Sequence, residues 1–269
     1  MYLCCSSRRR SAYQPAAGAA HQPRPAAVDA AAAARARALV GTQAAWATDL
    51  LQMLVSGQLV APQGLDTMPA SILNACEGLA FMQSRKGGLG LTLGSGSGFV
   101  VKKLNQDVHG GSSWSPPWFF LLGQAGVGLS AGYRYAQTVT ALLSLDAFQV
   151  FEQGTTGLGT DLGAFSTDGA LTGLAGGLAL GKGQQMGMNL NSTRSAFNYS
   201  AVEGVYLEVA LHGSRISPDT ATNTALYGQA TANDVLEGRL GGAVDKLPEM
   251  LPLVRRINKL GKAAAAGQS

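Results

Sequence analysis

The sequence predicts an α+β fold. A strongly curved, mostly antiparallel, glycine-rich β-sheet, barrel- or sandwich-like, is expected with N-terminal, short connecting and C-terminal helices. Three observations carry this expectation. Glycine makes up 36 of the 269 residues, about twice the usual ~7% share, and 23 of these glycines fall between positions 87 and 187. Within that stretch short apolar runs are bounded by turn residues, as in Gly98-Phe-Val-Val-Lys-Lys-Leu104, Trp118-Phe-Phe-Leu-Leu122 and Val139-Thr-Ala-Leu-Leu-Ser-Leu145, which is the pattern of strands. Both ends of the chain show helical periodicity instead. Glycine inside strands allows bulges, tight coiling and close backbone approach, hence the expected curvature.

Residues 1–28 hold four arginines and no acid among many Ala, Ser and Pro. They read as a disordered basic tail or an organelle-targeting segment, plastid or mitochondrial. Cys4 and Cys5 beside Arg8–Arg10 are either acylation sites or incidental thiols. Asp29 to about Val60 predicts a helix, with Leu39, Trp46, Leu50, Met53 and Leu54 at helical spacing. Pro62 and Gly64 break it. A second helix is expected over 69–82, capped by Asp66 or Thr67, apolar along Ile72, Leu73, Cys76, Leu79 and Ala80, and ended by Gly87-Gly88. Asn105–Ser113 reads as a hairpin loop. Asp146 is expected to cap a short helix through Phe151. Strands follow at Ser195–Ala201 and Gly204–His212, then a helix from Pro218 to Tyr227. Thr231-Ala-Asn-Asp234 offers a capping box for a helix to about Arg239. From Pro252, apolar Leu253, Val254, Ile257 and Leu260 oppose Arg255, Arg256, Lys259 and Lys262. The expected organisation is therefore one domain over 29–249, between a basic tail and a basic C-terminal helix over 250–269.

Charge is divided along the chain. Residues 1–37 carry six arginines and one acid, residues 250–269 four cations and no acid, and the middle is net negative. An acidic body argues against nucleic acid as a partner, while basic ends suit an anionic surface. No apolar run reaches the ~18 residues of a spanning helix.

Catalytic signatures are missing. Three cysteines, Cys4, Cys5 and Cys76, fit neither a disulfide framework nor a zinc site. His21, His109 and His212 have no ligand cluster around them, so no metal and no cofactor is expected. Gly94-Ser-Gly-Ser-Gly98 resembles a phosphate loop only superficially. It leads into Phe99-Val100-Val101, a strand-forming run, and lacks the following Lys-Ser/Thr. A turn or bulge within a sheet is the expected role, with a nucleotide-binding enzyme the remote alternative.

The order of motifs resembles the SYLF domain family. Met68-Pro-Ala-Ser-Ile-Leu-Asn-Ala-Cys-Glu-Gly-Leu-Ala80 is similar to its Pro–helix–Gly-Leu-Ala entry segment, and Gly94–Val101 to its Gly-Ser-Gly-Val-Val strand. Trp114-Ser-Pro-Pro117 looks like its Trp-Ser-Ala-Pro signature, and Leu145-Asp-Ala-Phe-Gln-Val-Phe151 like its short central helix. Phe197-Asn-Tyr-Ser200, Gly204-Val-Tyr-Leu207, Leu211-His-Gly-Ser214 and Ile216-Ser-Pro218 follow in family order, over about 35–245. The resemblance implies a non-catalytic domain that binds phosphoinositide-containing membranes through an N-terminal amphipathic helix and nearby basic residues. It also implies, for some members, actin binding and work in endocytosis or membrane trafficking.

The expected function is therefore peripheral binding of anionic phospholipids, phosphoinositides included, in the cytoplasm. An actin- or scaffold-binding module is the competing reading. Candidate basic contacts are Arg35, Arg37, Arg85, Lys86, Lys102 and Lys103, the last two on opposite faces of one strand. Trp46 is a candidate for insertion, with core packing as its competing role, and Trp118-Phe119-Phe120 is a candidate insertion wedge.

Overall fold

The computed structural model describes residues 30–56, 68–166, 196–240 and 247–267. The expected basic tail at 1–28, with Cys4 and Cys5, lies outside the described residues. So do the expected cap residues Asp66 and Thr67.

The architecture is α+β, with the expected helices at both ends. Helix α1 (Ala30–Ser56) is followed by a single turn, α2 (Ile72–Ala75). Among the described residues five strands make one sheet: β1 (Gly78–Gln106), β2 (Ser112–Trp114), β3 (Trp118–Leu142), β4 (Thr155–Ser166) and β5 (Ala196–Pro218). Their order is β2-β1-β3-β5-β4 and every neighbouring pair is antiparallel. Among the described residues the sheet is not closed into a barrel. A 3₁₀ turn and α3 (Gln149–Gln153) connect β3 to β4, and α4 (Thr220–Tyr227), α5 (Ala232–Leu236) and α6 (Leu251–Ala266) follow β5.

The strands are long because β1 and β3 pair from Gly78↔Leu142 to Val100↔Trp118 with one shift in register, at Leu89/Leu91. Yet β1 also folds back on itself. Gly90 sits at the reversal with φ 74°, a conformation that favours glycine. The Lys103 amide donates to the Glu77 carbonyl at 2.8 Å, and Phe81 stacks on Phe99 with ring centroids 5.1 Å apart. A Cβ on Gly96 would lie 2.4 Å from the Gln83 carbonyl oxygen, and one on Gly98 would lie 2.1 Å from that of Phe81. The partners descend as the glycines ascend, so the two halves of β1 run antiparallel and in contact. This is what the Gly94–Gly98 run is for: glycines at period two face the opposite backbone, and Ser95 and Ser97 face out.

Alternation divides the core between the two faces of the sheet. Leu79, Phe81, Phe99, Val101, Phe119, Val139 and Ala141 face α1, α2 and α6, packing with Val40, Leu50, Leu51, Leu54, Leu253 and Ile257. Ala80, Val100, Trp118, Phe120 and Leu142 face the other way, against Phe148, Phe151, Val235 and Leu236. Because both faces are covered at this end, 78–82 is apolar throughout. That explains why the helix expected over 69–82 is one turn, after which the chain is strand. Pairing with β3 overrides a periodicity compatible with either structure, and Gly87-Gly88 lies within β1 rather than ending a helix.

Other boundaries shift less. The two strands expected at 195–201 and 204–212 are one, β5. The turn at Leu145–Phe148 starts from Ser144, with Asp146 inside it rather than capping it. Asp219 caps α4 by accepting the Thr222 amide at 3.1 Å. The capping box of Thr231 and Asp234 forms as expected.

Candidate functional site

Among the described residues no group of His, Cys, Asp and Glu could hold a metal ion. No helix starts at Gly98, since β1 runs through it, so the geometry that a phosphate loop requires is lacking there. His109 is exposed in the 107–111 loop. The Cys76 thiol is buried, and burial pushes it up to about 11 against the attraction of Lys103. A thiol so raised is little ionised near neutrality and unreactive. In a chain carrying Cys4→Ser and Cys5→Ser, the expected titration with a thiol-specific disulfide reagent at pH 8 is no fast reaction until denaturant is added.

The cations expected to share a patch separate into two groups. Three are used inside the fold. Lys86 is only 7% exposed. Lys102 pairs with Glu237 at 2.5 Å and lies over the Phe148 ring. Lys103 donates to the Leu73 and Asn74 carbonyls at 2.9 Å each and to Gln106 Oε1 at 3.0 Å. Those carbonyls end α2, so its ammonium acts as a cap for a helix C-terminus. Burial holds its pKa below the usual lysine range. Arg35, Arg37 and Arg85 are exposed, Arg85 also lying 5.6 Å from the Tyr135 ring centre.

Of the expected insertion elements, Trp118-Phe119-Phe120 is buried and Trp46 half-buried. Trp118, Phe119 and Phe120 all belong to the core. The Trp118 indole donates to the Phe151 carbonyl at 3.2 Å, Phe120 packs on Phe151, and Phe119 is held at its backbone by Asn223. The whole run is buried because both faces of the sheet are covered there. Trp46 packs against the core and its indole donates to Gln137 Oε1 at 2.5 Å. The apolar stripe of α1 is likewise spent on the core, from Val40 to Leu54. So is that of α6, through Leu253 and Ile257.

What remains exposed is a cationic helical side and an apolar strand end. Helices α1 and α6 pack together and carry the exposed Arg35, Arg37, Arg255, Lys259 and Lys262 and the half-buried Arg256, with Asp49 as their own acid and Asp107 and Glu249 alongside. Asn258 fixes α6 to β2 by bonding both the amide and the carbonyl of Ser112. The sheet face beneath these helices continues beyond them along β1. There Leu89, Leu91 and Leu93 are 85, 56 and 62% exposed while Thr92 between them is fully buried. Across the ladder stand Ala131, opposite Leu89, and Ala125, opposite Leu93, with Tyr133 next on the same face. Arg85 also belongs to this face. Sequence reasoning missed these leucines. The signal was present as Leu89-Gly-Leu-Thr-Leu93, a period-two pattern hidden among glycines.

A family model described as "Las17-binding protein actin regulator", named Ysc84, matches residues 123–260. The chain belongs to the Ysc84 family. The resemblance to SYLF domains read from the motifs is thereby shown. The chain is 29% identical over 189 residues to an SH3 domain-containing protein of Schizosaccharomyces pombe, covering 69% of this chain and 41% of that one. It is 28% identical over 187 residues to LAS seventeen-binding protein 3 of Saccharomyces cerevisiae, covering 68% of this chain and 38% of the relative. Against SH3 domain-containing YSC84-like protein 1 of Homo sapiens the identity is 28% over 172 residues, 64% of this chain and 46% of the relative. The chain thus matches less than half the length of these relatives. No solved structure matches it. The Ysc84 match takes in most of β3, β5, α4, α5 and most of α6, hence Arg255, Arg256, Lys259 and Tyr133 but not Lys262, while α1 and β1 precede it. The family is described as one of Las17-binding actin regulators, and the budding-yeast relative is named for binding LAS seventeen.

Proposed function

We propose that this domain is a non-catalytic module that docks peripherally on anionic membranes, phosphoinositide-containing ones included. The observation that carries this reading is the cationic pair of helices: Arg35, Arg37, Arg255, Lys259 and Lys262 are exposed on α1 and α6, whose own acid is Asp49, with Asp107 beside Lys262 and Glu249 beside α1. Each such cation contributes about 1 kcal/mol near an anionic leaflet. The attraction fades over a Debye length of ~8 Å at physiological salt, so exposed cations count and the inward Lys86, Lys102 and Lys103 do not. Arg35, Arg37 and Arg85 are the contacts retained from the sequence. No helix among the described residues is long and apolar enough to cross a membrane, so docking is at the surface.

Flotation of the full chain with phosphoinositide-containing, phosphatidylserine-containing and neutral vesicles tests this. Binding to both anionic types at low salt, absent on neutral ones and weakened by salt, is expected. The variant Arg255→Glu/Lys259→Glu/Lys262→Glu should bind at least tenfold less, since three cations at about 1 kcal/mol exceed the 1.4 kcal/mol of one decade. Failure of the wild type to bind any anionic vesicle at low salt defeats the reading.

A second reading has its own support. The family is described as an actin regulator, and one relative is named for binding LAS seventeen. The same cations suit an acidic protein surface. Co-sedimentation with actin filaments in the absence of lipid distinguishes it.

A further inference from the structure

We propose that Leu89, Leu91, Leu93 and Tyr133 form an apolar wedge that enters the hydrocarbon boundary of an anionic bilayer, an inference that rests on the membrane reading above. The local alternation is inverted. A half-buried strand turns its apolar residues inward and its polar ones outward, yet here Thr92 is buried and the leucines on either side are the exposed residues. Folding gains little from leucines left 56–85% exposed, and a contiguous apolar patch on an otherwise ordinary surface marks an interaction site.

The surroundings point to lipid. The patch lies at the reversal of β1 around Gly90, beyond the stretch of β1 that packs under the helices. Three leucines and one tyrosine fall well short of the ~800 Å² per partner of a stable protein interface, so a second copy of the chain is a poor occupant. Charge is complementary to an anionic membrane. Arg85 stands on the same face two residues before Gly87, beside Tyr135, and the cationic helices α1 and α6 cover the continuation of that face. Tyr133, half exposed at 52%, has the amphipathic ring that favours the interfacial region. The leucines supply the apolar anchorage that the buried stripes of α1 and α6 cannot give.

The test compares the full wild-type chain with Leu89→Thr/Leu91→Thr/Leu93→Thr, which keeps strand propensity, on vesicles of phosphatidylcholine with phosphatidylserine and phosphoinositide. The expected result is at least tenfold weaker partitioning of the variant, with its circular dichroism and urea midpoint unchanged because the side chains were already in water. Equal binding of both proteins overturns the wedge and leaves the membrane reading standing. Failure of the wild type to bind defeats both. A wild type that sediments as a dimer beside a monomeric variant, with vesicle binding equal, overturns the wedge in favour of self-association.

Discussion

Gly98→Ala is expected to destabilise the domain by about 3 kcal/mol, at the upper end of what overpacking a closed interior costs. The new Cβ would stand 2.1 Å from the Phe81 carbonyl oxygen, 2.8 Å from the Phe120 ring and 3.0 Å from the Met82 Cα. Two of these three neighbours are backbone, which cannot swing aside as a side-chain end can. Relief would mean separating the two halves of β1, and with them the Phe81–Phe99 stack. Gly123→Ala is the matched control. It too lies in a strand, on the outward face, and nothing stands within 4 Å of its Cβ position. Its effect should stay within about 0.5 kcal/mol, as for ordinary surface substitutions. Urea denaturation of the two variants beside the wild type reads the difference. Equal midpoints for Gly98→Ala and Gly123→Ala would mean that the halves of β1 do not touch.

Asn223→Leu is expected to cost about 2–4 kcal/mol. Asn223 is buried on α4, and its carboxamide bonds both backbone groups of Phe119: the amide donates to Oδ1 at 3.0 Å and Nδ2 donates to the carbonyl at 2.8 Å. Leucine is similar in size, so the loss is not one of volume. Each buried backbone group left without a partner costs roughly 1–3 kcal/mol. The Phe119 carbonyl keeps a bond from the Asp219 amide at 3.0 Å, which holds the total below the sum of two full penalties. The same denaturation experiment measures it. A loss under about 0.5 kcal/mol would show that the clamp contributes little.

Elements set by local chemistry were legible in the sequence. The capping box at Thr231 and Asp234 needs only residues three apart, and the stripes of α1 and α6 need only helical spacing. Leu79, Ala80 and Phe81 show the limit. They are apolar because β1 is covered on both faces at its base, and coverage on both faces erases the period that separates strand from helix. The Gly94–Gly98 run was correctly assigned to a sheet, but its purpose depends on Gln83 and Phe81, fifteen or so residues earlier, folding back against it.

The candidate site divides the same way. Arg35, Arg37 and Arg85 are exposed. The fates of Lys102 and Lys103 depended on Glu237 and on the end of α2, and no spacing within β1 announces either. Trp118 and Phe119, expected as part of an insertion wedge, belong to the core instead. They are large because two core layers meet there. The leucines at 89–93 were passed over because glycine on either side suggested a turn, and only the burial of Thr92 shows which way the strand faces.

The most direct test places an environment-sensitive fluorophore at Leu91→Cys in a chain carrying Cys4→Ser and Cys5→Ser, with buried Cys76 left in place. On phosphoinositide-containing vesicles the emission should shift to the blue and be quenched by lipids labelled in their acyl chains. Unshifted, unquenched emission from protein that floats with the vesicles would contradict insertion of this strand end.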